Sequence, residues 1–138
     1  MSSLRACCIG ATLAVLGTTA LGAAPFPVSP TERARAFAEC AGRYAAIADH
    51  DRLMKGQTNA AAEARRDAFS GLLDAVLPDA VAYGMPVAKS REWHSTARAA
   101  HIQLLAAAAY SFRESEASRA ELAAAFHVSL CDRLILGA

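Results

Sequence analysis

The sequence predicts an all-α protein, an antiparallel up-down-up-down four-helix bundle that follows an N-terminal signal peptide. Three observations carry this prediction. Past the leader, Ala, Leu, Arg and Glu dominate, all strong helix formers, while β-branched residues are scarce. Apolar residues recur at three- and four-residue steps, with almost no strand-like alternation. Proline, glycine and capping residues then cut the chain into four long segments with short connections, which makes successive helices antiparallel neighbours.

The leader comes first. "MSSLR" carries one charge, at Arg5, and "ACCIGATLAVLGTTALG" carries none. Small residues and prolines follow in "AAPFPVSP". This is the order of a secretory signal peptide, and Ala20 and Gly22 fit the small-residue positions of a cut after residue 22. The predicted organisation is a signal peptide over 1–22, a Pro-rich lead-in over 23–29 and a helical domain over 30–137. Cys7 and Cys8 precede the apolar run, where a lipid-anchored cysteine has no place. The expected location is therefore periplasmic or secreted, with a mature form not embedded in the membrane.

Helix 1 is predicted from Pro30 to Lys55. Ser29 is its N-cap, Pro30 takes the first helical position and Glu32 completes a capping box. Phe37, Cys40, Ala41, Tyr44, Ile47 and Ala48 share one face, and Gly56 is the stop. Thr58 is the expected cap of helix 2, whose stripe is Phe69, Leu72, Leu73, Val76 and Leu77. Pro78 is expected to end or kink it. Helix 3 spans about Pro86 to Phe112, with Trp93, Ala97, Ala100, Leu104 and Ala108 facing inward. In helix 4, "SRAE" offers a second capping box, with Ser118 as N-cap and Glu121 as its partner. Its face includes Leu122, Phe126, Leu130, Cys131 and Leu134, and Gly137 ends it. The many inward alanines imply closely spaced helices.

Loss of the leader leaves two of the four cysteines, Cys40 and Cys131. Helix 1 starts at the end of the bundle where helix 4 finishes. At a rise of ~1.5 Å per residue Cys40 lies ~15 Å above that end and Cys131 ~9 Å. They sit at nearly one level on neighbouring helices, and export places them where disulfides form, so the expected pairing is Cys40–Cys131.

Loss of the leader also removes Arg5, so 13 basic residues remain against 13 acidic ones, with no block of one sign. Nucleic-acid binding is thereby disfavoured, since it needs several cations facing the phosphates. No C-x-x-C-H, H-E-x-x-H or Gly-rich phosphate loop occurs, no cofactor is implied, and no nucleophile–base arrangement points to an enzyme. Two weaker patterns suit a metal: His50 with Met54 at i, i+4, and His94 on helix 3 level with His127 on helix 4. The alternative is that these are helix-surface or boundary residues, with Met54 as core filler.

"FAECAGRYAA", "ARRDAFSGLLDAVLPDA", "ARAAHIQLLAAAAY" and "LCDRLILG" together resemble a group of small secreted alphaproteobacterial helical proteins with no known activity. The resemblance implies export and a disulfide and assigns no catalytic residue. The expected function is that of a binding or structural accessory protein with one disulfide and an unidentified protein partner. The alternative is a periplasmic metal-binding protein.

Overall fold

The computed structural model describes residues 27–136; the expected signal peptide and the Gly137 stop lie outside them. Four helices occupy nearly all of this span: α1 (Pro30–Lys55), α2 (Ala60–Ala82), α3 (Val87–Tyr110) and α4 (Glu114–Leu136). No strand occurs among the described residues. The predicted all-α four-helix bundle is the observed class.

α1 begins and ends where its sequence dictates. The Ser29 hydroxyl accepts the Glu32 N–H at 3.1 Å, and the Glu32 carboxylate accepts the Ser29 N–H at 3.0 Å. These bonds hold the Glu32 carboxyl below its usual range. At the other end Gly56 adopts the left-handed conformation (φ 62°) and donates its N–H to the Arg52 carbonyl.

Three other boundaries differ from expectation. Asn59, not Thr58, caps α2, because its amide joins two helices: Oδ1 accepts the Ala62 N–H at 2.9 Å and Nδ2 donates to Asp51 of α1 at 2.6 Å. Pro78 does not end α2, which continues to Ala82. The turn beyond it is anchored by Ala80, fully buried with Ala34 and Met85. Ser118 is not an N-cap either. α4 starts four residues earlier, where Ser111 accepts the Arg113 N–H and donates to the Glu116 carboxylate at 2.9 Å.

The core is centred on α1. Ten of its residues are buried, against three in each other helix, so α1 is enclosed while its neighbours each bury one edge. α2 and α3 make the broad interfaces with α1; α4 packs on α3 and meets α1 more narrowly. Phe69 of α2 stacks on Tyr44 (ring centroids 5.9 Å apart) and tilts against Phe37. Against α3, a Cβ at Gly42 would overlap the His94 carbonyl oxygen, so the backbones touch only because residue 42 has no side chain. Buried Ala38, Ala41, Ala45 and Ala48 also keep the surroundings of α1 close.

Part of the expected core lies outside. Leu122 is 70% and Phe126 57% exposed; α4 instead buries Ala120, Ala124 and Cys131. Leu72 and Ala100 are likewise exposed, while Phe69, Ala97 and His101 are buried.

Candidate functional site

Cys40 and Cys131 form a disulfide, with Cα atoms 5.6 Å apart, linking α1 to α4. Both are buried. This bond sets the rotation of α4. The stripe through Cys131 at helical spacing passes His127, Val128, Ala124 and Ala120, so those residues face the bundle.

Arg43 lies over the disulfide, its Nη1 3.7 Å from the Cys131 sulfur and 3.9 Å from the Cys40 sulfur. Its Nη2 donates to Glu39 at 3.2 Å. One turn away, Tyr44 donates its hydroxyl to Asp132 Oδ1 at 2.6 Å, and Arg65 of α2 approaches the same oxygen at 3.7 Å. Burial, then this bond to a carboxylate, raises the Tyr44 pKa well above its ordinary value.

His101 of α3 is the unusual member. It is 2% exposed, yet neither ring nitrogen has a hydrogen-bond partner, and His127 Nδ1 is likewise buried without one. Burial pushes the His101 pKa down to about 4, and its electrostatic interactions with Arg43 and then His127 add to the shift. At neutral pH the ring is an uncharged imidazole with one donor and one acceptor unused.

His101 lines a groove of about 430 Å³ between α1, α3 and α4. Ile47, Leu105, Ala108, Ala124, Ala125 and Val128 make the walls apolar; Ser129, Asp132 and Glu121 supply the polar edge. α4 runs antiparallel to α3. Asp132 and Ser129 therefore share the His101 end, and Glu121 lies toward Ala108 at the other.

The metal-binding candidates are not gathered. Met54 is 47% exposed and its sulfur takes the Tyr110 hydroxyl. His50 is half-buried near the same end of α1. His94 sits under Gly42, its pKa lowered by burial and then by Arg98. The histidine that interacts electrostatically with His127 is His101, about two turns beyond His94. Among the described residues no group of three or more His, Cys, Asp or Glu side chains is placed to hold a metal ion.

Two members of this site were missed in the sequence. His101 continues the stripe through Ala97 at i+4, so its burial was legible from periodicity. Arg43 follows Gly42 in the run containing Cys40, but its place over the sulfurs depends on where α4 lies. No protein-family model, characterised protein or solved structure matches the chain.

Proposed function

We propose that the chain is exported and acts by binding a small apolar ligand in the groove between α1, α3 and α4. One observation carries the binding reading: a groove with apolar walls has a buried histidine in its lining with both nitrogens unpaired. Leaving a buried polar group unpaired costs roughly 1–3 kcal/mol, and protein interiors seldom retain one without use. The volume falls within the roughly 300–1,000 Å³ of small-molecule sites. Export is supported by Arg5 with the uncharged run after it, and by a disulfide, which suits an oxidising compartment. The resemblance to small secreted alphaproteobacterial proteins agrees with it. Among the described residues no helix is long and apolar enough to cross a membrane.

The test is titration of the mature, disulfide-bonded protein with a fluorescent apolar dye. One equivalent should bind. Ala125 is exposed at the groove edge, so Ala125→Trp should fill the groove and abolish binding without lowering the unfolding temperature. Failure of the parent protein to bind dye, or undiminished binding by the variant, would remove the groove from consideration.

A further inference from the structure

The lining of the groove offers negative charge and hydrogen-bond acceptors. Among the described residues its charged side chains are the carboxylates of Asp132 and Glu121, with no lysine or arginine. Asp132, Ser129 and His101 share one end. Side chains lean toward the N-terminus of their own helix, so on antiparallel α3 and α4 His101 and Asp132 lean toward each other. Each of the three presents an acceptor. Asp132 Oδ1 takes the Tyr44 hydroxyl and faces Arg65 of α2, outside the groove; Oδ2 has no partner among the described residues. The Ser129 hydroxyl donates its hydrogen to the Phe126 carbonyl at 2.8 Å and keeps its lone pairs. His101, buried and without a partner, has one ring nitrogen that accepts when the imidazole is uncharged. From His101 to Ala108, ~10 Å along α3, the walls are aliphatic: Leu105 and Ala108 on α3, Ala124 and Val128 on α4. Glu121 lies at the far end, on the exposed edge.

We propose that the groove takes a single-chain primary ammonium, its head group among Asp132, Ser129 and His101 and its alkyl chain along Leu105, Ala108, Ala124 and Val128. This rests on the groove being a ligand site and adds the class of ligand. A primary ammonium carries three N–H donors, one for each acceptor at this end. Its charge complements the Asp132 carboxylate, and charge-assisted bonds of this kind are the strong ones. Bound there, it gives the buried imidazole nitrogen the partner that the described residues do not supply. The alkyl chain covers the aliphatic walls. Arg43, over the disulfide and bonded to Glu39, is not part of the lining. An anionic head group would meet a carboxylate at either end, Asp132 or Glu121. An alcohol brings one donor to three acceptors and no charge. A quaternary ammonium brings the charge and no donor. The site therefore ranks ligands that share one chain and differ only in the head group.

Calorimetric titration of the mature, disulfide-bonded protein at pH 7 with octylamine, octan-1-ol, octanoate and octyltrimethylammonium tests this. Octylamine is a cation at that pH, as a lysine side chain is. It should bind one per chain, at least tenfold more tightly than each of the other three. Asp132→Asn removes the charge but keeps an acceptor for the Tyr44 hydroxyl. It should bring octylamine within about threefold of octan-1-ol. Ala125→Trp should bind none of the four. Octyltrimethylammonium binding as tightly as octylamine would overturn the hydrogen-bonded head group. Loss of the octylamine preference in Glu121→Gln, with Asp132→Asn unchanged, would put the cation at the far end and overturn the placement. Equal affinity for all four ligands, with Ala125→Trp inactive, would overturn the ammonium assignment and leave the groove as a ligand site. Absence of binding by any of them would overturn the assignment and, if the dye also fails, the groove reading.

Discussion

Two residues of α1 and α3 are held in environments their types seldom occupy, and each has a measurable consequence. His101 is buried and neutral, with a folded-state pKa of about 4 against an ordinary value of 6.5. Above pH 6.5 both folded and unfolded chains carry it uncharged, so it contributes no pH dependence. As pH falls below 6.5 the unfolded chain binds the proton and the folded one does not. Stability then drops by roughly 1.4 kcal/mol per unit until the folded-state pKa is reached. Urea unfolding at pH 7 and pH 5 should therefore show His101→Leu losing less stability than the parent, by roughly 2 kcal/mol. Equal losses would mean that the imidazole is not held neutral. Gly42 is the second case. Gly42→Ala gains about 1 kcal/mol of helix propensity but drives a methyl into the α3 backbone at His94 and Arg98. Overpacking of this kind costs roughly 1–3 kcal/mol, and here both obstacles are backbone. A net loss in urea unfolding is expected; a stabilised variant would show that α1 and α3 are not in backbone contact. Gly42 is not legible from its neighbours in the sequence, where a mid-helix glycine reads as a defect; the burial of His101 follows from its i+4 spacing to Ala97, but its lack of hydrogen-bond partners does not.

Among the elements, α1 was readable to the residue because its signals are local. A capping box, a proline at the first position and a left-handed glycine decide where it starts and stops whatever surrounds it. α4 was not. It carries large apolar residues on two sides, so periodicity alone allows either to face inward. The Cys40–Cys131 bond chooses, since Cys131 must point at α1. At ~100° per residue Leu122 then lies ~180° from Cys131 and Phe126 ~140°, on the outer side. Leu122→Ser and Phe126→Ser should each change stability by no more than about 0.5 kcal/mol in chemical denaturation, the value for exposed positions. Cavity-sized losses would place these side chains in the core after all. The second capping box, Ser118 with Glu121, misled for a related reason. The motif is real in sequence, but Ser111 and Glu116 had already fixed the start of the helix a turn earlier.

At the scale of the molecule, the disulfide closes a loop across a sequence separation of 91 residues, joining the first helix to the last. Long loops lose the most entropy on closure in the unfolded chain, and removal of such a bond costs roughly 2–5 kcal/mol. Cys40→Ser, Cys131→Ser and the double variant should be destabilised by the same amount in that range, since all three lose one bond. Protein recovered from the exported fraction should begin between residues 22 and 26 and show no free thiol when denatured without reductant. A product retaining residues 1–22, or two free thiols, would contradict export to an oxidising compartment. The sequence by itself determined the helical class, the number of helices, three of their four starts to within one residue and the partnership of the two cysteines. These follow from local propensity, capping chemistry and the level each residue reaches along a helix of fixed rise. Only the tertiary structure decided that α1 is central, that α4 turns its alanine edge inward and that His101 lies unpaired beside an apolar groove. Those outcomes depend on the rotation of each helix about its own axis, set by the Gly42 contact and the Cys40–Cys131 bond between residues far apart in the chain.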